Sequence, residues 1–380
     1  MVEKLKRKLC FVVTTESTAK AFLLNHLRAL SEIYDVTVVV NTNNRNFLTE
    51  NGINAKVITL SIARNISLFS DFISLVKLIK IFSHEHFSSV HSVTPKAGLL
   101  AMLAAWLVRV PMRIHTFTGQ VWVTKAGVKR FLLKQIDCLI AILATYNIVD
   151  SPSQSQFLLD KKVMSAAKSI VFANGSISGV DIARFRPNQS ARVSVRQKLN
   201  IPNEANVFLF IGRLTRDKGV LDLAHAFSRL GGEHLLFVGP DEQNMQAEIT
   251  RICGENNLNV HFVGYTDEPE FYMAAADVLC LPSYREGFGS VVIEAAAVGI
   301  PSIASRIYGI SDAVVDGVTG LLHDPRDINA IKSCMEQMRS NAILRLNFGE
   351  SAKMRATKEF DSKLITQEWV NFYRENLLLK

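Results

Sequence analysis

The residues best suited to chemistry lie in one segment, Leu281–Ala295, which reads Leu-Pro-Ser-Tyr-Arg-Glu-Gly-Phe-Gly-Ser-Val-Val-Ile-Glu-Ala. The segment follows an apolar run predicted to be a strand, and its pattern predicts a helix that begins at about Gly289. Glycine lets a backbone approach a ligand closely, and the start of a helix offers unpaired N–H groups and the positive end of the helix dipole. These features together predict a site for a phosphate group.

Two carboxylates, Glu286 and Glu294, bracket the Gly-Phe-Gly turn of this segment. A carboxylate accepts hydrogen bonds without donating them, so it suits the paired hydroxyls of a sugar or a ribose, and each such bond contributes roughly 1.5–3 kcal/mol. Glu294 follows Ser290 by one helical turn and shares a helix face with it. A solvated loop charge and an exposed helix position are the ordinary alternatives for either glutamate alone, but their placement around one turn favours a binding role.

The glycines of this turn do not extend to a dinucleotide fingerprint. In a G-x-G-x-x-G pattern that starts at Gly287, the third glycine would stand where this chain has Val292. No other segment of the sequence supplies that pattern or a Walker A loop. Nicotinamide- and ATP-dependent chemistry therefore lack sequence support.

A second segment, Ile211–Gly219, reads Ile-Gly-Arg-Leu-Thr-Arg-Asp-Lys-Gly and also follows directly on a predicted strand. It places Arg213 and Lys218 at the carboxyl end of that strand, where open α/β sheets bind ligands. A guanidinium and an ammonium there would neutralise a diphosphate, and fixed cations stabilise the charge that develops on a departing phosphate. Basic residues are common in surface turns, yet this turn stands at the same place relative to its strand as the Glu286 turn.

Strands that alternate with helices must position these two turns, and such alternation predicts an α/β fold with parallel sheets. In the first half, the predicted strands are Leu9–Thr14, Val36–Asn41, Val90–Ser92 and Arg113–Phe117, and the predicted helices are Ala19–Ser31, Ser67–His84 and the run after Pro95. In the second half, the predicted strands are Val207–Ile211, Leu235–Val238, Val260–Val263, Val278–Leu281 and Pro301–Ala304. The loop-rich stretch Gly175–Pro202 is interpreted as the linker, and Ser362–Lys380 as a helix with an aromatic face of Trp369, Phe372 and Tyr373.

Together the two turns resemble the signature of the retaining glycosyltransferases of family 4, which joins G-R-x4-K-G to E-G-F-G-x4-E-A. The segments Leu235–Gly239, Val260–Gly264 and Asn174–Pro187 are similar to donor-domain strands and the linker of that family, so the resemblance covers most of the chain. It implies the GT-B fold, in which two Rossmann-like, doubly wound α/β domains face a central cleft. The expected domains are an acceptor-binding unit over residues 1–186, onto which the helix 362–380 packs back, and a donor-binding unit over residues 187–361.

The resemblance also implies roles for individual residues. Arg213 and Lys218 would hold the diphosphate of a nucleotide sugar, and with Glu286 they are expected to be catalytic. Glu286 would contact the hydroxyls of the donor sugar, and Glu294 would contact the ribose. The set expected to bind the donor is Gly212, Arg213, Lys218, Gly239, Tyr265, Glu286, Gly287, Phe288, Gly289, Ser290 and Glu294. The expected donor is a UDP-sugar used as co-substrate, with no cofactor and no metal ion, and the expected mechanism retains the anomeric configuration.

Two segments of the first half, His91–Gly98 and Arg113–Trp122, resemble family members that extend O-antigen, capsule or related glycans, whose acceptor is a sugar on a polyprenyl diphosphate. Many of those relatives place a histidine where this chain has Thr118. His115 stands three residues earlier, and because side chains alternate along a strand, both a core role and an acceptor-side role stay open for it. The residues expected on the acceptor side are Thr15, Lys96, His115, Thr118 and Gly119.

The composition excludes several classes of protein. Hydrophobic residues make up 48% of the chain and charged residues 21%, which excludes a disordered protein. The five cysteines are scattered and form no C-x-x-C pair, which argues against a disulfide framework or a structural zinc site and for a reducing compartment. The apolar run Leu9–Val13 is shorter than the ~7–15 residues of a signal-peptide core. The run Ala97–Val108 falls below the ~20 residues of a membrane span and is interpreted as a buried helix, so a cytoplasmic location is expected.

The charge of the chain is asymmetric. Residues 1–190 carry 23 Lys and Arg against 11 Asp and Glu, a net charge of +12, whereas the remaining residues carry −4. This excess predicts an anionic partner for the first half. Peripheral attachment to the inner face of the cytoplasmic membrane is expected through cations and aromatics of two segments, with a solvated basic face as the alternative. These residues are Lys4, Lys6, Arg7 and Lys8, and the stretch Trp122–Lys134 with Lys125, Lys129, Arg130, Phe131 and Lys134.

Two other functions stay open on the sequence. A transferase or epimerase that uses another sugar nucleotide on a soluble acceptor fits the same two turns. A nucleic-acid-binding module would use the basic first half, but no helix-turn-helix, RNA-binding aromatic motif or zinc knuckle supports it, so no nucleic-acid partner is expected. The sequence predicts no oligomeric state.

Overall fold

The computed structural model of the chain describes residues 6–62 and 67–378. The chain divides into one compact unit formed by Met1–Ser178 with Ser362–Lys380 and a second formed by Gly179–Asp361. This boundary lies eight residues before the one expected from the sequence, at 186/187. The segment after the boundary belongs to the second unit because the Val180 N–H donates to the Phe360 carbonyl at 2.7 Å and Arg184 forms an ion pair with Glu270 at 2.8 Å.

Within the described residues, the strands of the first unit form a parallel seven-stranded sheet in the order β3-β2-β1-β4-β5-β6-β7. Strands β1 and β4 are parallel neighbours, and successive strands are added outward from them in opposite directions, so the strand order reverses at this point. These strands are β1 (Lys8–Val12), β2 (Asp35–Val40), β3 (Lys56–Thr59), β4 (Ser89–Val93), β5 (Met112–Phe117), β6 (Tyr146–Val149) and β7 (Ser169–Ile170).

Two layers of helices cover this sheet. Helices α1 (Glu16–Phe22), α2 (Leu24–Ile33), α3 (Phe47–Glu50) and α16 (Ser362–Leu378) share one apolar core with the sheet. Helices α4 (Leu68–Glu85), α5 (Pro95–Leu107), α6 (Gly127–Leu143) and α7 (Pro152–Asp160) share the other. The single helix predicted over Ala19–Ser31 is in fact α1 and α2, since the backbone breaks at Leu23. Among residues 6–62 and 67–378, no helix combines the length and the apolar character needed to cross a membrane.

Helix α16 inserts aromatic side chains into the first unit, as its sequence pattern predicts. The Trp369 ring stacks between His26, at 4.4 Å between centroids, and His91, at 4.9 Å. The Tyr373 hydroxyl lies 2.8 Å from Nδ1 of His91. Burial lowers the pKa of His26 to about 4, although its hydrogen bond to the Ile177 carbonyl acts in the opposite direction. Burial also lowers the pKa of His91, so at neutral pH the helix packs against two neutral imidazoles.

The second unit repeats the architecture with a parallel sheet in the order β10-β9-β8-β11-β12-β13 among its described strands. In this sheet the strand order reverses between the parallel neighbours β8 and β11. The strands are β8 (Val207–Ile211), β9 (His234–Val238), β10 (Val260–Val263), β11 (Val278–Leu281), β12 (Ser302–Ser305) and β13 (Gly320–His323). The helices are α8 (Gln189–Lys198), α9 (Val220–Phe227), α10 (Met245–Cys253), α11 (Pro269–Ala275), α12 (Ser290–Val298), α13 (Ile310–Ala313), α14 (Ile328–Ser340) and α15 (Ala342–Glu359).

The stretch Gly175–Pro202 was interpreted from the sequence as a linker, but its second part contains helix α8. The linker interpretation is therefore wrong for that part of the stretch. The Asn188 side chain caps the helix start. Arg196 is fully buried and donates to Asp277 at 2.8 Å and to the carbonyl oxygens of three residues that follow the helix. These long-range partners hold α8 in place, and local composition does not reveal them.

Candidate active site

The two turns singled out in the sequence leave neighbouring strands of the second sheet. The first, residues 212–219, follows β8, and the second, residues 282–289, follows β11. Strands β8 and β11 pair in parallel, with Phe208 opposite Val278, so both turns leave the same edge of the sheet. They flank the point where the strand order reverses, which is where open α/β sheets bind ligands.

Glycines bring the backbones at this edge close together. A Cβ on Gly219 would lie 2.1 Å from the carbonyl oxygen of Pro282, and one on Gly239 would lie 2.1 Å from that of Gly212. Gly219 also has a φ of +70°, in the left-handed region that glycine adopts without strain. Larger residues would therefore push apart the turns that carry the candidate side chains.

Lys218 and Glu286, one from each turn, meet directly. Nζ of Lys218 lies 2.5 Å from Oε1 of Glu286, and both side chains are mostly buried. The Ser283 hydroxyl donates to the same carboxylate oxygen at 2.8 Å. The sequence predicts that both charged residues serve one donor site, and in the structure their side chains touch each other.

Asp217 and Arg285 form a second link between the turns, which the sequence reasoning missed. Their side chains pair at 3.0 Å, and the Asp217 carbonyl accepts from the Tyr284 N–H at 2.9 Å. Burial alone would raise the pKa of Asp217, but the Thr215 hydroxyl and the Arg285 charge hold it below its usual value. The signal lay in the sequence, since each residue stands beside a member of the Lys218–Glu286 pair.

Arg213 and Tyr265 lie at the outer part of this edge. Nη1 of Arg213 is 2.8 Å from Oε2 of Glu242, in the turn that follows β9. Tyr265 is 71% exposed, and its hydroxyl donates to Asp267 at 2.6 Å. Arg213 therefore meets a carboxylate, and a bound diphosphate would have to compete with that carboxylate for the guanidinium.

Helix α12 begins at Ser290 directly after Gly289, whose φ of +83° confirms the predicted turn into a helix. Gly287 lies against Gly309, where a Cβ would sit 2.2 Å from the Gly287 carbonyl oxygen. The Phe288 side chain is 1% exposed and packs on Phe360 at 5.2 Å, so it belongs to the core of the second unit. Its predicted part in donor binding is therefore limited to its backbone.

Glu294 sits one turn into α12 and is partly buried. Burial raises the pKa of Glu294 to about 7, the positive charge of Arg184 opposes this rise, and the negative charge of Glu270 adds to it. The carboxyl group is thus poised to change its ionisation near neutral pH. Hydrogen bonds donated by a diol would favour the ionised form.

Two residues expected on the acceptor side follow β1 and β4, the strands at which the order of the first sheet reverses. Thr15 caps α1, and its Oγ1 accepts from the Thr18 N–H at 3.3 Å. Nζ of Lys96, in the first turn of α5, lies 2.7 Å from Oδ1 of Asp71 on α4. Both residues thus lie at the carboxyl edge, and both have partners within the first unit.

The turn after β5 contains Thr118 and Gly119, and two buried glutamines form hydrogen bonds to its backbone. The Thr118 carbonyl accepts from Gln120 at 2.8 Å and from Gln154 at 2.9 Å. Gln154 also donates to the Gln120 side chain at 3.2 Å. The sequence reasoning did not identify these glutamines, because only the fold places Gln154 beneath the turn.

His115 lies in the core and not on the surface of the acceptor-side turns. It is fully buried, and its Nδ1 lies 2.9 Å from the Ser92 hydroxyl. A Cβ on Gly98 would lie 2.4 Å from its ring, so α5 packs directly on it. Burial lowers the pKa of His115 to about 3. Of the two roles that the sequence left open, this position corresponds to the core role.

Comparisons with known proteins agree with this arrangement. Residues 8–143 match the family model described as Glycosyl transferase 4-like, and residues 192–355 match the one described as Glycosyl transferases group 1. The chain is 31% identical over 322 residues to the capsular polysaccharide biosynthesis glycosyltransferase CapM of Staphylococcus aureus, covering 83% of this chain and 84% of the relative. It is 25% identical over 295 residues, 75% of each chain, to the UDP-Gal:alpha-D-GlcNAc-diphosphoundecaprenol alpha-1,3-galactosyltransferase of Escherichia coli.

Solved structures show the same fold over nearly the whole chain. Sucrose-phosphate synthase of Thermosynechococcus elongatus superposes with a TM-score of 0.80 at 24% identity, covering 98% of this chain and all of that one. Anabaena HepE in complex with UDP and glucose gives a TM-score of 0.80 at 19% identity, covering 97% and 99% of the two chains. With both signature turns at one sheet edge, the chain belongs to the group 1, family 4 glycosyltransferases and has their GT-B fold of two parallel-sheet α/β domains.

Proposed function

We propose that this glycosyltransferase moves a hexose or N-acetylhexosamine from a UDP-sugar to a glycan carried on a polyprenyl diphosphate, with retention of configuration. The reaction would take place at the inner face of the cytoplasmic membrane, during synthesis of O-antigen, capsule or a similar surface polysaccharide. The observation that carries the proposal is the meeting of Lys218 and Glu286 at 2.5 Å, at the sheet edge where α12 begins. A cation for the diphosphate and a carboxylate for the sugar hydroxyls thus stand side by side.

The chemistry that these residues can perform is positioning and charge stabilisation. In the proposed step, the bond between the anomeric carbon and the diphosphate oxygen breaks, and the acceptor hydroxyl oxygen bonds to that carbon on the same face. The hydroxyl proton passes to the departing phosphate oxygen, so the protein supplies no nucleophile. Lys218, Arg213 and the N–H groups at the start of α12 would stabilise the negative charge of the leaving UDP.

We infer that Lys218 and Arg213 take the part of a metal ion at the diphosphate, so the step needs no cofactor and no metal ion. Each of the two cations faces a carboxylate, Glu286 for Lys218 and Glu242 for Arg213 at 2.8 Å. A diphosphate that enters would take over both cations, and Glu286 would then be free to accept from the sugar hydroxyls. The donor thus exchanges one set of ionic contacts for another.

The relatives support the substrate classes. The galactosyltransferase named above acts on a sugar linked to diphosphoundecaprenol. Relatives at 25–26% identity include a lipopolysaccharide core glycosyltransferase of Rhizobium meliloti and a teichuronic acid glycosyltransferase of Bacillus subtilis, the latter named as putative. HepE has been crystallised with UDP-glucose. We infer a UDP-sugar donor and a lipid-linked acceptor from these proteins and from the two turns.

A thermal-shift panel with UDP-, GDP-, ADP- and TDP-sugars tests the donor. We expect stabilisation by one UDP-sugar that disappears in Lys218→Ala and in Glu286→Gln. Lys332→Ala is the matched control, because Lys332 also forms a close ion pair, with Glu336 at 2.7 Å on α14. Equal stabilisation of all the variants would contradict the proposed donor site.

A transfer assay with radiolabelled donor tests the acceptor. We expect label on a polyprenyl-diphosphate-linked glycan and α stereochemistry in the product of an α-linked donor, read by NMR coupling constants. Transfer only to water-soluble acceptors would contradict the lipid-linked acceptor and favour the soluble-acceptor alternative. A product of inverted configuration would contradict the retaining mechanism.

A further inference from the structure

The outer face of helix α6 carries apolar side chains that no other part of the described chain covers. Val128 is 74% exposed, Phe131 60% and Leu132 54%. The same face continues to Leu139 and Ile142, which are 41% and 69% exposed. Most amphipathic helices of globular proteins bury their apolar face, so an exposed apolar stripe over the length of a helix points to an interaction surface.

Helix α4 adds a second exposed apolar group at its first turns. Leu68 is 84% exposed, Phe69 78% and Phe72 63%. Helices α4 and α6 pack on either side of α5, and in a parallel α/β unit each of these helices begins at the carboxyl edge of the sheet. We call Leu68, Phe69, Phe72, Val128, Phe131 and Leu132 together the α4–α6 surface.

The charges around the α4–α6 surface are almost all positive. Each carboxylate within α4 and α6 is engaged or buried: Asp71 with Lys96 at 2.7 Å, Glu85 with Lys56 at 2.6 Å, and Asp137 beneath Trp122. Four cations accompany the start of α6; the first three are exposed, the fourth is half-buried, and the Arg130 guanidinium lies over the Trp122 ring at 5.9 Å. They are Lys125, Lys129, Arg130 and Lys134.

We propose that the α4–α6 surface docks onto an anionic bilayer, with α6 lying in the plane of the membrane interface. Its phenylalanine and leucine side chains would enter the boundary between headgroups and acyl chains, and the lysines would meet anionic headgroups. The proposal deepens the proposed function, because a lipid-linked acceptor is reached from that interface.

This docking surface differs from the one expected from the sequence. Trp122 is 1% exposed, and its indole N–H donates to Asp137 at 2.8 Å, so it is a core residue. Lys6 donates to the Glu32 carbonyl and Lys8 pairs with Glu85, both at the amino edge of the sheet, opposite the start of α6. Lys4 lies outside the described residues. The apolar residues of α4, which the sequence reasoning did not name, take the place of the N-terminal cations.

A second copy of the chain fits this surface less well than a lipid bilayer does. A symmetric dimer would bring the same patch of each copy together, so the α6 cations of one copy would face those of the other. The carboxylates of α4 and α6 are already engaged or buried and would not neutralise them. An anionic headgroup layer supplies the missing negative charge.

Co-sedimentation of the full chain with vesicles tests the proposal. Vesicles of phosphatidylcholine with phosphatidylglycerol should bind the protein, and pure phosphatidylcholine vesicles should bind it more weakly. Phe131→Ser/Leu132→Ser and Phe69→Ser/Phe72→Ser should each lower the partition coefficient by about tenfold or more, since each removes two large apolar side chains from the interface. Lys125→Glu/Lys129→Glu should lower binding to anionic vesicles only.

The matched control is Ile343→Ser/Leu346→Ser on α15 of the second unit, whose side chains are 72% and 61% exposed. It should bind vesicles like the unsubstituted protein. Equal binding by Phe131→Ser/Leu132→Ser, or no vesicle binding by the unsubstituted protein, would overturn the proposal. The proposal would also be overturned if the unsubstituted protein formed a dimer that Phe131→Ser/Leu132→Ser dissociates, because the surface would then bind a second copy of the chain.

Transfer to a short-chain, water-soluble acceptor separates docking from catalysis. The surface variants should keep that activity and lose transfer to the vesicle-borne acceptor. If the unsubstituted protein binds vesicles but transfers no sugar to a lipid-linked acceptor, the proposed function fails while the docking surface stands.

Discussion

The ionisation of Glu294 should control the affinity for the donor around neutral pH. If its pKa is about 7 and only the carboxylate binds the ribose hydroxyls, about one tenth of the protein is competent at pH 6 and about nine tenths at pH 8. The dissociation constant of a UDP-sugar should then be roughly tenfold larger at pH 6 than at pH 8. A UDP-sugar is the right probe because its diphosphate, esterified at both ends, does not titrate in this range.

Calorimetric titration from pH 5.5 to 8.5 measures this dependence, and Glu294→Gln is the control. The variant should bind more weakly at pH 8, with no pH dependence near neutrality. The same raised pKa also affects the free energy of unfolding. Because the pKa of Glu294 is higher in the folded protein than the unfolded value of 4.5, the protonated carboxyl contributes its full stabilisation below pH 4.5. This stabilisation, about 3 kcal/mol, is lost as the pH rises through about 7. The same pH slope in Glu294→Gln, or a flat profile in the unsubstituted protein, would refute the reasoning.

Three further substitutions test the packing. Gly219→Ala should lower the free energy of unfolding by about 2 kcal/mol or more and weaken donor binding, because the new Cβ would meet the Pro282 carbonyl. Gly231→Ala is the control; its Cβ would enter open space, so the free energy of unfolding should change by no more than about 0.5 kcal/mol. Trp369→Ala should destabilise the first unit by about 3–5 kcal/mol in chemical denaturation. His115→Gln should lower stability by about 1–3 kcal/mol while kcat in the transfer assay stays unchanged; a large loss of kcat would instead favour the acceptor-side role.

Much of the fold followed from local sequence signals. The strands next to the site, β8 and β11, are continuous apolar runs, as strands buried on both faces are, and their bounds match the predicted ones. Helix α8 was missed because tertiary contacts such as the Arg196–Asp277 pair hold it in place. The break at Leu23 was missed as well. Short strands such as β7 gave no periodic signal, since Ser169–Ile170 spans two residues.

The sequence predicted which residues form the candidate site, but not which of their side chains contact one another. Lys218 and Glu286 were assigned to one ligand, and the structure adds that they touch each other. The Asp217–Arg285 link depends on how two strands 60 or more residues apart pair, which a single sequence does not state. Phe288 was named for its place in the signature, yet its side chain points into the core.

On donor binding, the diphosphate of an activated sugar should replace Glu286 and Glu242 as the partner of Lys218 and Arg213. A crystal structure of the protein with an intact UDP-sugar would show this exchange. We predict phosphate oxygens at about 2.7–3.2 Å from both cations and from N–H groups at the start of α12. A nucleotide bound elsewhere, with the Lys218–Glu286 pair still closed at 2.5 Å, would contradict it.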